Sequence, residues 1–233
     1  MQIVFSIGVV LLAYVIGSIP FGWLIVKLKT GKDIRGIESG RTGGTNALRA
    51  AGLGAGLLTA FMDILKGAAA VWIAKAILPE ANLLHVLAPI AAIIGHNYSI
   101  FMPERNEQGR IVRLKGGAGG APSVGGAFGI WGPSIFIVLP LGAIIFFTLG
   151  IASITTMSVA LSAIIIYAIR AWLGLSPWVD VLYGVLAEIL LIWALRPNLK
   201  KLFSGQERIV RQSLHGWIRS KRENQQPNHG NAS

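Results

Sequence analysis

Residues 116–131 read GGAGGAPSVGGAFGIW. How this run is read decides the fold. It is apolar and uncharged, yet shorter and richer in glycine than an ordinary bilayer-crossing helix of about 17–25 residues. If it crosses, the apolar segments around it give seven spans. If it only dips, it must be buried by protein, and every later loop changes side. Glycines in such a run also let backbone N–H groups approach a phosphate closely. The nearest cation, Lys115, stands just before the first glycine, and Ala118 sits at the centre.

Outward from this run, apolar stretches occupy 2–26, 53–78 and 83–102 on one side and 133–149, 151–173 and 179–195 on the other. Of 233 residues, 53% are hydrophobic and 13% charged, with mean hydropathy +0.62. Soluble domains carry about 25% charge, so the composition is that of a membrane protein. Basic residues crowd alternate loops. Lys27, Lys29, Lys32, Arg35, Arg41 and Arg49 fill the first connection. Arg105, Arg110, Arg113 and Lys115 fill the third, and Arg196, Lys200, Lys201, Arg208 and Arg211 follow the last span. Residues 79–82 and 131–134 contain neither Lys nor Arg. This pattern predicts an all-α polytopic fold of about seven transmembrane helices, N-terminus outside and C-terminus cytoplasmic, with 116–131 crossing. If that run dipped, the basic C-terminus would lie outside.

The expected organisation is one membrane domain over 1–205, a basic amphipathic juxtamembrane segment over 206–222 and a disordered polar tail over 223–233. In the segment, Ile209, Val210, Leu214, Trp217 and Ile218 approximate one helical face. It reads either as a helix lying on anionic lipid or as a solvated tail. The net charge of +11 is read as cytoplasmic anchoring, and no motif points to nucleic acid. The absence of cysteine excludes disulfides, thiolate metal sites and cysteine nucleophiles. The four histidines have no metal-like spacing. The N-terminus, apolar from Met1 and without a basic region or small-residue cleavage site, reads as a retained first span.

Four clusters carry candidate chemistry. Residues 38–52, ESGRTGGTNALRAAG, offer hydrogen-bond donors in Ser39, Thr45 and Asn46 and planar phosphate-binding forks in Arg41 and Arg49. The same residues also suit helix caps and positive-inside charge. In FMDILKGA, 61–68, Asp63 and Lys66 share a helical face inside a span. They read as an ion pair pinning two helices, as supports for a neighbouring loop, or as part of a solute pathway. No inverted repeat favours the pathway. GHNYSIF, 95–101, puts His96 and Asn97 at a helix end, where the histidine either titrates near neutrality or is satisfied by a loop carbonyl. ALRPNLKKLFSGQE, 194–207, brings Arg196, Asn198, Lys200 and Lys201, which stop-transfer charge alone would explain.

Taken together and in order, GSIPFG, SGxxGxTNxLR, FxDxLKG, GHNxxxF, KGGxG and RxNLKxLxxGxE resemble the bacterial PlsY family, from Gly17 to Glu207. These are membrane glycerol-3-phosphate acyltransferases that use acyl-phosphate. The resemblance implies seven helices in a bacterial inner or plasma membrane, with the active site at the cytoplasmic face. It implies transfer of a fatty acyl group to the 1-hydroxyl of glycerol 3-phosphate, giving lysophosphatidic acid and phosphate, with no cofactor, metal or CoA. Implied partners are the two substrates, membrane lipid and an upstream enzyme that forms acyl-phosphate. By position, Ser39, Asn198 and His96 take catalytic roles. Arg49, Thr45, Asn46, Gly116, Gly117, Gly119, Lys115 and Arg41 hold phosphate. Asp63 and Lys66 support the site.

The sequence departs from that family's pattern at chemically important positions. The family loop GGKGVAT here reads GGAGGAP, so Ala118 replaces its lysine and Pro122 its threonine. Leu195 replaces the terminal histidine, Arg41 an asparagine and Ser99 a proline, and the segment before the glycine loop is longer. One charge-assisted contact to phosphate is worth about 1.5–3 kcal/mol, roughly 10- to 150-fold. Arg41, Lys115, Arg110 and Arg113 are the cations available to compensate. Three readings follow: an acyltransferase with a remodelled site, an impaired paralogue that binds phosphate-bearing lipid, and a small-solute transporter.

Overall fold

The computed structural model describes residues 1–225. The expected polar tail lies, from residue 226 on, outside the described residues. The fold is mostly helical. Helices α1 (Gln2–Ser18) and α2 (Phe21–Thr30) form one apolar column broken at Ile19–Pro20. Proline there lacks the N–H that would continue the helix. Then come α3 (Gly44–Ala51), α4 (Leu53–Ile77) and α5 (Asn82–Asn97). A hairpin of β1 (Pro103–Arg105) and β2 (Ile111–Leu114) leads to α6 (Gly120–Ile130). Helices α7 (Ile135–Leu149), α8 (Ala152–Trp172), α9 (Val179–Phe203) and α10 (Leu214–Gln225) complete the chain.

Helix α6 sits at the centre. Its glycines give it poor intrinsic helix propensity, so its neighbours must hold it. It runs alongside the second half of α4 in the same direction: Gly67 lies against the Pro122 carbonyl and, further along both helices, Gly129 lies against Val71. Its last carbonyls have no partner within the helix. Lys75 Nζ donates to Gly129 O at 2.9 Å and to Ile130 O at 2.7 Å. Tyr167 Oη donates to Ala127 O at 2.7 Å, and Tyr183 Oη to Ser123 O at 2.6 Å. Both tyrosines are fully buried, in a core with Val86, Ile93 and Leu191. The lysine also complements the negative end of the helix dipole.

This packing takes α6 from the level of α4's middle to that of α4's C-terminal end. With 11 residues, about 16 Å, it covers roughly half of a 30 Å hydrocarbon core. The glycine loop ahead of it supplies the rest of the path and is tied to the first loop, Thr42 N donating to Gly116 O at 3.2 Å. Among the described residues, four segments are long and apolar enough to cross a membrane unaided: Gln2–Thr30, Leu53–Ile77, Gly132–Leu149 and Ala152–Trp172. Helix α5 is shorter, at 16 residues, and α9 carries Asp180, Glu188, Arg196, Lys200 and Lys201. Large apolar side chains such as Phe136 (80% exposed) and Ile144 (60%) face outward from the bundle, as lipid contact requires.

Two segments differ from the sequence expectation. The longer stretch before the glycine loop folds as an antiparallel hairpin. Asn106 Oδ1 accepts from Gln108 N and Arg110 N, and Gly109 takes φ 76, which closes the turn. The segment 206–222 is helical only from Leu214. Before that it is a strap returning to the bundle: Ile209 bridges to Ile151, Val210 N donates to Gly150 O at 2.7 Å, and Val210 is buried. Val210 packs inward here and shares no outer face with Leu214 and Trp217.

Candidate active site

The first loop, the glycine loop, the C-terminal end of α9 and the strap meet at one end of the bundle. They enclose a cavity of about 180 Å³ lined by Ser39, Arg41, Thr45, Asn46, Arg49, His96, Gly119 and Asn198. These were scattered over some 160 positions of sequence. Two helix N-termini open into the cavity: Gly43, Gly44 and Thr45 at α3, and Gly119, Gly120 and Ala121 at α6. First-turn N–H groups have no acceptor within their own helix, and the positive dipole end favours an anion.

The glycine loop is held against α5. Gly117 N donates to His96 O at 2.8 Å, and a Cβ on Gly117 would overlap His96 Nε2. Gly119 takes φ 90, a left-handed conformation that aims the α6 N-terminus at the cavity. Behind the loop, His96 Nδ1 stands 3.6 Å from Asp63 Oδ1, and Lys66 Nζ lies 2.9 Å from the same oxygen. Lys66 Nζ also donates to Ile19 O at 3.0 Å, at the break between α1 and α2. The Asp63–Lys66 pair thus pins α4 to that break and backs the histidine. It does not line the cavity.

Arg41 reaches the backbone next to both departures in the sequence. Its Nη2 donates to Ala194 O at 2.6 Å and to Asn198 Oδ1 at 3.1 Å, and its Nη1 reaches Gly117 O at 3.5 Å. It bridges the backbone beside Leu195 and the backbone beside Ala118. Burial and the neighbouring Arg113 both pull its pKa below the ordinary arginine value, and burial does the same to Arg49. Neither forms an ion pair with a carboxylate among the described residues. Lys115 is turned away: its Nζ pairs with Glu104 Oε1 at 2.9 Å on the hairpin. Gly116, Gly117 and Lys115 line a neighbouring chamber instead of the cavity. Asn46 is buried, its amide donating to the Ile37 and Arg41 carbonyls at 3.0 and 2.9 Å, so it shapes the first loop.

The cavity has further walls that had no role in the sequence reading. Glu207 accepts from Ser153 Oγ, and from Asn198 Nδ2 at 3.3 Å. Arg208 pairs with Glu38, the one non-glycine residue with positive φ (49) among those described. Glu207 closes the last motif of the sequence, a signal that was present but unassigned. Lys201 stood among the stop-transfer charges. Thr156, on apolar α8, gave no signal. Among the described residues no three His, Asp or Glu side chains converge as a metal site.

Beside the polar cavity runs an apolar groove of about 230 Å³ between α3, α4, α6, α7 and α8, walled by Leu53, Leu57, Ile64, Val138 and Phe146. The two share Gly44, Thr45, Gly120, Ala121 and Thr156. A ligand with an anionic head and a long apolar chain fits this pairing.

Fold and site together define a polytopic helical membrane protein with a basic polar cavity opening into an apolar groove. The family model described as glycerol-3-phosphate acyltransferase matches residues 7–205. A glycerol-3-phosphate acyltransferase of Thermus thermophilus is 34% identical over 203 residues, covering 87% of this chain and 94% of the relative. One of Rhodopseudomonas palustris is 35% identical over 206 residues, covering 86% and 93%. The crystal structure of PlsY (YgiH), an integral membrane glycerol 3-phosphate acyltransferase, in its glycerol 3-phosphate form superposes with TM-score 0.75 at 28% identity, covering 88% of this chain and 95% of that one. Its lysophosphatidic acid form gives 0.73 at 26%, covering 89% and 96%. This chain belongs to the glycerol-3-phosphate acyltransferase family of PlsY type.

Proposed function

We propose that the protein transfers a fatty acyl group from acyl-phosphate to the 1-hydroxyl of glycerol 3-phosphate. The observation that carries this is the junction of polar cavity and apolar groove at Gly44, Thr45, Gly120 and Ala121. The acyl chain lies in the groove, and the acyl carbon sits at the junction. The two helix N-termini and Arg49 hold the phosphates there. The acceptor oxygen bonds to the acyl carbon, the carbon–oxygen bond to phosphate breaks, and the hydroxyl proton leaves with the phosphate. No protein nucleophile is required. Positioning and stabilisation of the developing charge supply the rate. Ser39, Asn198 and His96 are the polar side chains placed to orient the acceptor. Arg41 stands in for the cations absent at Ala118 and Leu195.

In the membrane, the column α1–α2 and helices α4 to α9 make seven passes, α6 being the short one. The site then faces the cytoplasm, with the N-terminus outside and the basic C-terminal segment inside the cell. Helix α10, with Leu214 (56% exposed) and Trp217 (53%) beside Arg219 and Lys221, lies on the anionic lipid of that face. The acyl-phosphate is supplied by a separate upstream enzyme that forms it.

The test is purified protein with acyl-phosphate and glycerol 3-phosphate, scored by lysophosphatidic acid and phosphate release. Turnover dependent on both substrates supports the reading. Absent turnover with retained binding of both would favour an impaired paralogue, the reading suggested by Ala118 and Leu195.

A further inference from the structure

The hairpin that lengthens this chain has two unlike faces. Its pairing runs Pro103 with Leu114, Glu104 with Arg113 and then Arg105 with Ile111, so Val112 is an extra residue on β2. Side chains alternate along a strand. One face therefore carries Glu104, Arg113 and Lys115. It is polar and folded towards the site: Lys115 pairs with Glu104, and Arg113 lies near Arg41. Val112 belongs to the other face by alternation from Leu114. Ile111 belongs to it through its partner Arg105, which shares the face of Pro103. The bulge thus puts two consecutive apolar side chains on one side. Ile111 is 55% exposed and Val112 60%, and they line neither the cavity, the groove nor the chamber. Phe101, at the hairpin's root, is half exposed as well.

The depth of the hairpin says what covers this face. Its root is tied into the bundle: Ser99 N donates to Lys115 O at 3.1 Å, and Ser99 Oγ donates to Ser18 O. Ser18 adjoins Ile19, whose carbonyl accepts from Lys66, and His96 near the end of α5 stands beside Asp63. The root is therefore level with Asp63–Lys66. That is ten residues of α4, about 15 Å, from the start of that helix at Leu53. From Leu114 back to Ile111, β2 spans about 10 Å. Even pointing straight along the bundle, Ile111 and Val112 stop short of the start of α4. Over that same stretch of α4, Leu57, Leu58 and Phe61 face outward, so this is the depth of lipid. The open strand edges and the polar turn at 106–110 need water, which fixes the level at the boundary of headgroups and acyl chains. Residues 103–115 carry four cations against two acids, a net +2, and Arg105 and Arg110 flank the turn. That charge suits an anionic lipid surface.

We propose that the hairpin is a lipid anchor. Ile111 and Val112 seat in the acyl boundary of the leaflet on the side of the site, and Arg105 and Arg110 hold anionic headgroups. Because β2 runs straight into the glycine loop, the anchor ties the outer end of that loop to the membrane surface. The anchor stands whether or not the protein turns over acyl-phosphate.

The chain has no cysteine, so single cysteines report depth cleanly. Val112→Cys and, separately, Ile111→Cys are labelled with bimane, and Gln108→Cys in the turn is the water-facing reference. Each full chain is reconstituted in vesicles of phosphatidylcholine with or without phosphatidylglycerol. Quenchers are lipid bearing a nitroxide on its acyl chain and aqueous iodide, and thermal melting checks the fold. At 111 and 112 the acyl nitroxide quenches severalfold more strongly than iodide, and at 108 the order reverses. Phosphatidylglycerol increases the nitroxide quenching at 112, and Arg105→Gln/Arg110→Gln abolishes that increase. Iodide quenching at 111 and 112 equal to that at 108 overturns the proposal, since the face then lies in water. Shielding from both quenchers overturns it too, since a second copy or another protein then covers the face. A phosphatidylglycerol response that survives Arg105→Gln/Arg110→Gln overturns the headgroup contact.

Discussion

Replacing Arg41 by asparagine is the sharpest perturbation of the catalytic reading. The guanidinium makes two short contacts, to Ala194 O at 2.6 Å and Asn198 Oδ1 at 3.1 Å, and a longer one to Gly117 O at 3.5 Å. Its carbonyl and amide partners are neutral, so the positive charge remains available to a phosphate. Losing one charge-assisted phosphate contact costs about 1.5–3 kcal/mol, or roughly 10- to 150-fold in kcat/KM. The assay is initial-rate lysophosphatidic acid formation, with thermal melting run alongside. A purely structural role would lower the melting midpoint and leave kcat/KM of the surviving fold unchanged. The decisive comparison adds Ala118→Lys. In the Arg41→Asn background it restores most of the lost rate, because the ammonium enters the space beside Gly117 that the guanidinium left. In the parent it does little or harms, because the two cations would crowd one another across the loop. A kcat/KM within twofold of the parent for Arg41→Asn, or a large gain from Ala118→Lys in the parent, refutes the substitution of one cation for the other.

Breaking the buried pair by Lys66→Met leaves Asp63 uncompensated and destabilises by about 3–5 kcal/mol, while Asp63→Asn/Lys66→Met together costs less; detergent unfolding curves measure both. Gly117→Ala drives a methyl into His96 and shifts the loop, cutting kcat at least 100-fold, about what a 1 Å misplacement costs, with glycerol 3-phosphate binding as the control. Lys115→Met changes kcat/KM by less than about threefold, since Lys115 is committed to Glu104. That same pair makes the hairpin pH-sensitive. Lys115 holds the Glu104 carboxyl below its ordinary 4.5, so the pair's contribution is complete above that value and fades as pH falls through the lowered one. Hydrogen-exchange protection of the hairpin, corrected for intrinsic rates, declines in that window for the parent and less for Lys115→Met, in which Arg113 and Arg35 still act on Glu104.

The helical membrane fold was legible because it rests on composition and on basic loops, which bilayer physics imposes on any sequence. The cavity's membership was legible for a different reason. Ser39, Thr45, Arg49, His96 and Asn198 sit in motifs whose order matched a family, and no spacing along the chain links position 39 to position 198. What escaped was direction. Arg41, Lys115, Arg110 and Arg113 were all open as replacements for the missing cation, Lys115 standing three residues from Ala118. The hairpin turns Lys115 elsewhere. By adding β1 and β2 it brings Glu104 opposite Lys115 and commits that ammonium to the rim. The first loop meanwhile folds around Asn46, whose amide fixes the Arg41 carbonyl and turns the guanidinium inward. Glu207 escaped likewise, because a chain that leaves the bundle gives no hint in its composition that it will return. The run at 116–131 was ambiguous by length, and its length proves to be the point. An 11-residue helix starts part-way down α4, so its N-terminus opens below the bundle's end, beside the apolar groove. A full-length span would have placed that positive end at the surface, away from the lipid-facing groove. The shortness that made the sequence hard to read is what brings the polar cavity and the apolar groove to one point.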